Sequence, residues 1–202
     1  MKVRAERPMP DNSTNFNIAS NSKTVVGTTL ENLKAAIAGE TGASAKYSAF
    51  EKAAQEQGYS QIARLFKATA AAEQIHIGLE YDLVSQMDPD YEKPSAEAPS
   101  AEASDLNLIS GANGEIYETS DMYPSFIKKA QEEGETKAVQ VFTRAKLAES
   151  VHAQRYLEAY NDLDAADDDT FYLCPICGYI HKGEDFEKCP ICFCPKASFT
   201  AF

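Results

Sequence analysis

EQIH at residues 73–76 and ESVH at residues 149–152 decide how the rest of this 202-residue chain is read. Each places an acid and an imidazole three residues apart, which is one face of an α-helix. Each also falls on the apolar stripe of its segment. Steps of four and three give Ile62, Phe66, Thr69, Glu73, His76, Glu80, Leu83 and Met87 in one segment. In the other they give Phe142, Ala145, Glu149, His152, Tyr156, Ala159 and Leu163. One E-x-x-H on a helix is ordinarily a solvated pair. Two on separate apolar stripes, using two of the chain's three histidines, are hard to place in water.

Two further segments carry acids in the same way. Leu33, Ile37, Glu40, Ser44, Tyr47, Glu51 and Ala54 form one stripe; Leu108, Gly111, Glu115, Glu118, Met122 and Ser125, with Phe126 beside them, form another. The pattern predicts four helices, over about 30–57, 60–86, 105–132 and 135–163. Thr28 and Glu31 are spaced as a capping box at the first, and Gly58 and Gly134 mark breaks. The stretch DPDYEKPSAEAPSAEAS, residues 88–104, is too long for a tight antiparallel turn and reads as a crossover. Four long helices with one crossover predict a mainly α fold, a ferritin-like four-helix bundle whose metal sites are built from inward-facing side chains.

A buried carboxylate without a partner would rather take up a proton, and several converging on one point repel. Cations offset both costs. Glu40, Glu73, His76, Glu115, Glu118, Glu149 and His152 supply five carboxylates and two imidazoles, one acid more than the minimal di-metal set, suited to two iron or manganese ions. Glu51 and Glu80 lie near helix ends, as candidates to support the site or face solvent. Tyr47, Tyr123 and Tyr156 could donate hydrogen bonds to ligating carboxylates, although Tyr156 reads more simply as a core residue.

All five cysteines lie in CPICGYIHKGEDFEKCPICFC, residues 174–194. Cys174, Cys177, Cys189 and Cys192 make paired C-x-x-C knuckles that can surround one metal ion, leaving Cys194 as an extra thiol beside the site. Spacing does not choose between zinc and iron. Gly178 allows a tight turn with backbone amides aimed at sulfur, Tyr172, Tyr179, Phe186 and Phe199 can exclude water, and a reducible single iron would refill a di-iron centre. The expected organisation is a mobile N-terminal extension over 1–27, a bundle over 28–164, an acidic linker over 165–171 and a rubredoxin-like domain over 172–202.

Lys and Arg number 19 against 31 Asp and Glu, a net charge of −12, which argues against nucleic acid or an anionic membrane surface as partner. No apolar run approaches a membrane span and the N-terminus lacks a hydrophobic signal segment, so the expectation is a cytoplasmic protein.

AGETGASAKY (38–47), AAEQIH (71–76), GEIYETSDMYPSF (114–126), EEGE (132–135), AESVHAQRYL (148–157) and CPICGYIHKG (174–183) together resemble the signatures of rubrerythrin, in order, over about residues 24–202. The resemblance implies Glu73 and Glu149 as bridging carboxylates of a di-iron centre, Glu40 and Glu118 on one iron, and Glu115 with His152 on the other. It further implies a ligand that alternates with redox state between Glu118 and His76, and places Tyr47 and Tyr123 near the irons. The implied activity is reduction of hydrogen peroxide to water in oxidative-stress defence. Electrons would come from an NAD(P)H-dependent reductase or a rubredoxin, through the protein's own rubredoxin-type iron, held by the four knuckle cysteines. A head-to-tail homodimer would set one subunit's rubredoxin iron near the partner's di-iron site. Zinc or manganese can substitute in either site. The extension, the crossover, Cys194 and Glu80 depart from the pattern. The competing expectation is a ferroxidase of the iron-storing kind, against which stand the extra acid at Glu118 and the attached electron-transfer domain.

Overall fold

The computed structural model describes residues 15–163 and 168–202; those parts of the expected extension and linker that fall at 1–14 and 164–167 lie outside it. α1 (Thr29–Glu56) opens with the expected capping box, Glu31 N–H donating to Thr28 Oγ1 at 3.3 Å and Thr28 N–H to Glu31 Oε2 at 2.7 Å. It closes where Gly58 takes φ +86° and Tyr59 N–H reaches back to Ala54 C=O at 2.9 Å. The chain then returns as α2 (Ser60–Met87).

α2 spans about 42 Å at 1.5 Å per residue, and the connection 88–103 can reach at most about 55 Å, enough to cross the bundle lengthwise. Both of its ends are tied down. Lys34 Nζ holds Asp88 Oδ2 at 2.6 Å, and Gln57 Oε1 accepts Ser104 N–H and Oγ–H at 2.9 Å each.

The third helix of the sequence reading is three pieces: α3 (Ser104–Tyr117), a π-helical turn (Glu118–Met122) and α4 (Tyr123–Glu133). In the turn Tyr123 N–H donates to Glu118 C=O, five residues back. α5 (Thr136–Asn161) follows Gly134, which takes φ +76°. The extension expected to be mobile is, over residues 19–24, hydrogen-bonded to the π-helical turn. Among the described residues no helix is long and apolar enough to cross a membrane.

Two apolar clusters fill the bundle. One gathers Tyr47, Phe50, Leu65, Phe66, Leu108 and Tyr156; the other gathers Leu33, Ile37, Ile77, Val84, Phe126 and Phe142. Every long helix passes from one cluster to the other, and at each crossing stands an acid: Glu40, Glu73, Glu115 with Glu118, and Glu149. The fold is therefore a charged layer between two dry ones.

The C-terminal knob is a three-stranded antiparallel sheet of β1 (Phe171–Leu173), β2 (Ile180–Lys182) and β3 (Thr200–Ala201), ordered β2-β1-β3. Leu173 pairs with Ile180 and with Thr200. Phe171, Leu173 and Ile180 join the first apolar cluster, which seats the knob on the bundle of its own chain.

Candidate metal centres

Glu40, Glu73, Glu115, Glu149, His76 and His152 are completely buried, and Glu118 is nearly so. Their ligand atoms fall into two sets, each within 4.8 Å: Glu40, Glu73, His76 and Glu149, and Glu73, Glu115, Glu149 and His152. Glu73 and Glu149 are common to both and stand between them. Glu118, first residue of the π-helical turn, belongs to neither set, though its charge acts on Glu40, Glu115, Glu149 and Glu73.

His76 Nδ1 lies 2.6 Å from Glu149 Oε1 and 3.2 Å from Glu73 Oε2. His152 Nδ1 lies 2.7 Å from Glu149 Oε2 and 3.6 Å from Glu115 Oε2. Despite these distances neither Nδ1 is in hydrogen-bond geometry, nor are Glu73 Oε1 and Oε2, Glu149 Oε1 and Oε2, Glu40 Oε2, Glu115 Oε2 or Glu118 Oε2. Polar atoms buried this closely, yet not aimed along one another's hydrogens, have lone pairs converging on shared points. Cations satisfy that arrangement and hydrogen bonds do not.

The far ring nitrogens fix the tautomer. His76 Nε2 is 3.1 Å from Cys177 C=O, and His152 Nε2 is 2.8 Å from Gly178 C=O. A carbonyl can only accept, so both Nε2 atoms carry the hydrogen and both Nδ1 atoms offer a lone pair to the carboxylates. Without a cation the layer would draw in protons. Burial, then Glu149 and Glu115, raises Glu73 to about 8; burial, then Glu149, raises Glu115 to about 7. Burial also pushes Glu40 and Glu118 well above the carboxylate range. Glu149 alone goes below that range, because His76 and His152 outweigh its burial. The donor set, five carboxylates with two imidazoles presenting free Nδ1, fits two ions of the iron, manganese or zinc class.

Tyr47 donates to Glu115 Oε1 at 2.6 Å, and Tyr123 donates to Glu40 Oε1. Tyr156 pairs with Thr69 and touches no carboxylate, as a core tyrosine should. Glu51 is half-buried and in neither set. Glu80, a candidate either to support the site or to face solvent, is fully buried. It lies 3.0 Å from the Tyr123 hydroxyl. It is an additional carboxyl beside the layer, and its position four residues after His76 was the available signal.

In the knob, Cys174, Cys177, Cys189 and Cys192 form one set within 4.8 Å, with Sγ–Sγ distances of 3.4 Å (Cys174–Cys192) and 3.5 Å (Cys177–Cys189). The Cys174 and Cys177 thiols donating to Cys189 pull it down to about 2, whereas Cys174 is raised to about 12 and Cys177 higher still, so that without a cation these three sulfurs hold one negative charge between them. The Ile191 and Cys192 amides also point at Cys189 Sγ, each at 3.4 Å.

The two knuckles are copies. Cys174 N–H donates to Tyr179 C=O and Gly178 N–H to Cys174 C=O; Cys189 N–H donates to Cys194 C=O and Phe193 N–H to Cys189 C=O. Cys194 is thus the counterpart of Tyr179. It closes its turn through the main chain, while its thiol lies outside the ligand set.

The chain's relatives bear on this geometry. The family model described as Rubrerythrin matches residues 31–160, nearly the whole bundle. Nigerythrin of Nitratidesulfovibrio vulgaris is 78% identical over 202 residues, covering 100% of both chains. The protein named rubrerythrin from the same organism is 34% identical over 179 residues, 85% of this chain and 92% of that one. Solved structures of nigerythrin in a partially reduced state and in a fully reduced, all-ferrous state each superpose with a TM-score of 0.93 at 78% identity, over 100% of both chains. A match that runs through every helix bearing these acids and imidazoles makes the chain a member of the rubrerythrin family, a di-iron protein.

Proposed function

We propose that the chain is a non-haem di-iron peroxidase that reduces hydrogen peroxide to water, taking its electrons through its own four-cysteine iron from an NAD(P)H-dependent reductase, in cytoplasmic oxidative-stress defence. One observation carries this reading. Both imidazoles of the carboxylate layer donate to consecutive carbonyls of the first knuckle, Cys177 and Gly178, and Cys177 is itself a ligand position. A storage protein needs no such link between a thiolate site and its carboxylates.

Glu73 and Glu149 hold the two positions together, Glu40 with Glu118 or His76 serves one, and Glu115 with His152 serves the other. Irons bound there supply the two electrons and the Lewis acidity that O–O cleavage requires. The apolar clusters on either side exclude water. Tyr47 and Tyr123 keep Glu115 and Glu40 oriented, and carboxyls raised by burial are suited to holding the two protons that the reaction consumes with its two electrons.

In this structure the knob sits on its own bundle. The head-to-tail homodimer implied by the resemblance would keep the same hydrogen bonds if two chains exchanged knobs.

The test is peroxide consumption by protein holding three irons per chain, with reductase and NAD(P)H. Cys174→Ser should oxidise its di-iron site once and then stall. Sustained turnover in that variant would remove the relay, and retention of iron well beyond three atoms per chain would favour the ferroxidase instead.

A further inference from the structure

The described end of the N-terminal extension is strapped across the π-helical turn. Ala19 N–H donates to Ser120 C=O at 3.0 Å. Asp121 is fully buried, and its carboxylate gathers three donors from the strap: the Ser22 hydroxyl, Lys23 N–H at 3.0 Å and the Thr24 hydroxyl at 3.0 Å. Since the Thr24 hydrogen is committed to Asp121, the Tyr117 hydroxyl, 3.1 Å away, donates to Thr24 Oγ1. On the other flank Thr119 donates to Lys146 C=O at 3.0 Å, one turn before Glu149 on α5, and the Phe16 ring covers Lys146 Nζ at 4.6 Å. Partners far away in sequence therefore hold Tyr117 on one side of Glu118 and Thr119, Ser120 and Asp121 on the other.

A π-helical turn carries one residue more than an α-turn and persists only where its surroundings enforce it. Letting it relax to α register would rotate one flank against the other by about 100°. Glu118 is the first residue of this turn and belongs to neither four-residue set, although its charge acts on both. Its carboxylate is thus placed by the turn's register.

We propose that residues 19–24 are a clamp that holds the π-helical turn in register and thereby positions the Glu118 carboxylate. Ser22, Thr24 and Asp121 are then positioning residues for the di-metal site. The strap acts through hydrogen bonds to an anionic acceptor, the stronger kind. The proposal rests on the reading above, in which Glu118 and His76 exchange as ligand. The anionic carboxylate favours the more highly charged oxidised pair and the neutral imidazole the reduced pair, so loosening the clamp should disfavour the oxidised state.

The experiment uses the full chain and compares wild type, Ser22→Ala/Thr24→Val and the conservative Thr24→Ser. The first readout is hydrogen exchange of metal-free protein. In the double variant, amides 119–123 should exchange at least roughly tenfold faster, with amides in the middle of α2 unchanged. The second is the midpoint potential of the di-iron site, with the four-cysteine iron as internal standard. The midpoint of this two-electron couple should rise by about 30 mV for each tenfold loss in relative binding of the oxidised pair, while the potential of the four-cysteine iron stays fixed and Thr24→Ser behaves as wild type. Unchanged exchange at 119–123 overturns the clamp. Faster exchange with an unmoved di-iron potential overturns its link to Glu118, and equal movement of both potentials reduces the effect to general loosening and overturns it too. Wild-type protein that fails to consume peroxide would sink the functional reading separately, leaving the exchange measurement to decide the clamp.

Discussion

Removing metal from the bundle should make its stability fall as pH rises. Burial and the neighbouring acids raise Glu73 from 4.5 to about 8 and Glu115 from 4.5 to about 7. Between those limits the unfolded chain has released protons that the folded chain keeps, so the free energy of unfolding drops with increasing pH. His76 and His152 add to the drop at higher pH: burial disfavours their charge, but Glu149 outweighs it, and both hold protons beyond the usual imidazole range. Glu149, held below the carboxylate range, acts in the opposite sense only under about pH 4.5. Taken separately, Glu73 and Glu115 contribute about 1.4 kcal/mol per pH unit each, about 8 kcal/mol in all. They share Glu149 as neighbour, and a proton on one relieves the other, so about 4 kcal/mol is expected. For a chain of this size that lowers the melting temperature by about 8–16 °C between about pH 5 and pH 8. Far-UV circular dichroism of metal-free protein reports this, since almost all of the helix lies in the bundle. Metal-loaded protein, in which cations replace the protons, should show no such fall, and Glu73→Gln/Glu115→Gln should reduce it in the metal-free state, the remainder coming from Glu40 and Glu118, which burial also raises. Metal-free protein whose melting temperature is constant or rises over that interval would refute a buried, cation-dependent layer.

Gly178→Ala would set a Cβ against the His76 ring at a φ of +75°. Di-iron oxidation in a single turnover should be unchanged while re-reduction slows about tenfold or more, as stopped-flow absorbance can follow, since two hydrogen bonds worth about 1 kcal/mol each must shift. Tyr47→Phe leaves Glu115 Oε1 without its donor and should weaken metal binding at the bundle by about 10–100-fold in a cobalt titration, with the four-cysteine site unaffected. Glu80→Leu removes a buried carboxyl with an orphaned Oε2 and should raise the melting temperature, by about 1–3 kcal/mol of stability, with metal content retained. Phe193→Gly relieves a φ of +63° at an exposed site and should stabilise the knob by about 1 kcal/mol, measured as slower metal release to a chelator.

The acids and imidazoles were legible because a helix repeats every 3.6 residues, and a charged group on an apolar stripe stands out at that spacing. Glu40, Glu73, His76, Glu115, Glu149 and His152 needed nothing more to be brought together. The π-helical turn left no such mark: one extra residue does not disturb a stripe read in steps of three and four, and Glu118 lies on that stripe although its carboxylate belongs to neither four-residue set. The sequence leaves Glu80 open between supporting the site and facing solvent, because a position late in a helix says nothing about what covers it; here Tyr123, from α4, does. The strap's polar residues read as a mobile tail because their partner, Asp121, lies about a hundred residues away, and no local pattern records a contact of that range.

Which knuckle meets the bundle also follows from residue type, once the two are seen as copies. Gly178 and Phe193 hold equivalent left-handed positions, at φ +75° and +63°. The carboxylate layer offers two outward donors to the knob, the His76 and His152 Nε2 hydrogens, and an acceptor carbonyl must come close to each. At residue 178 even a Cβ would collide with the His76 ring, so only a knuckle with glycine in that position can approach. The second knuckle carries a phenylalanine there, 67% exposed. Turned toward the histidines it would hold the knob off; turned away, it leaves the first knuckle as the only face that can close the hydrogen-bonded link between thiolates and carboxylates. The glycine therefore serves twice, permitting the turn that gathers the sulfurs and the close approach that joins the two centres.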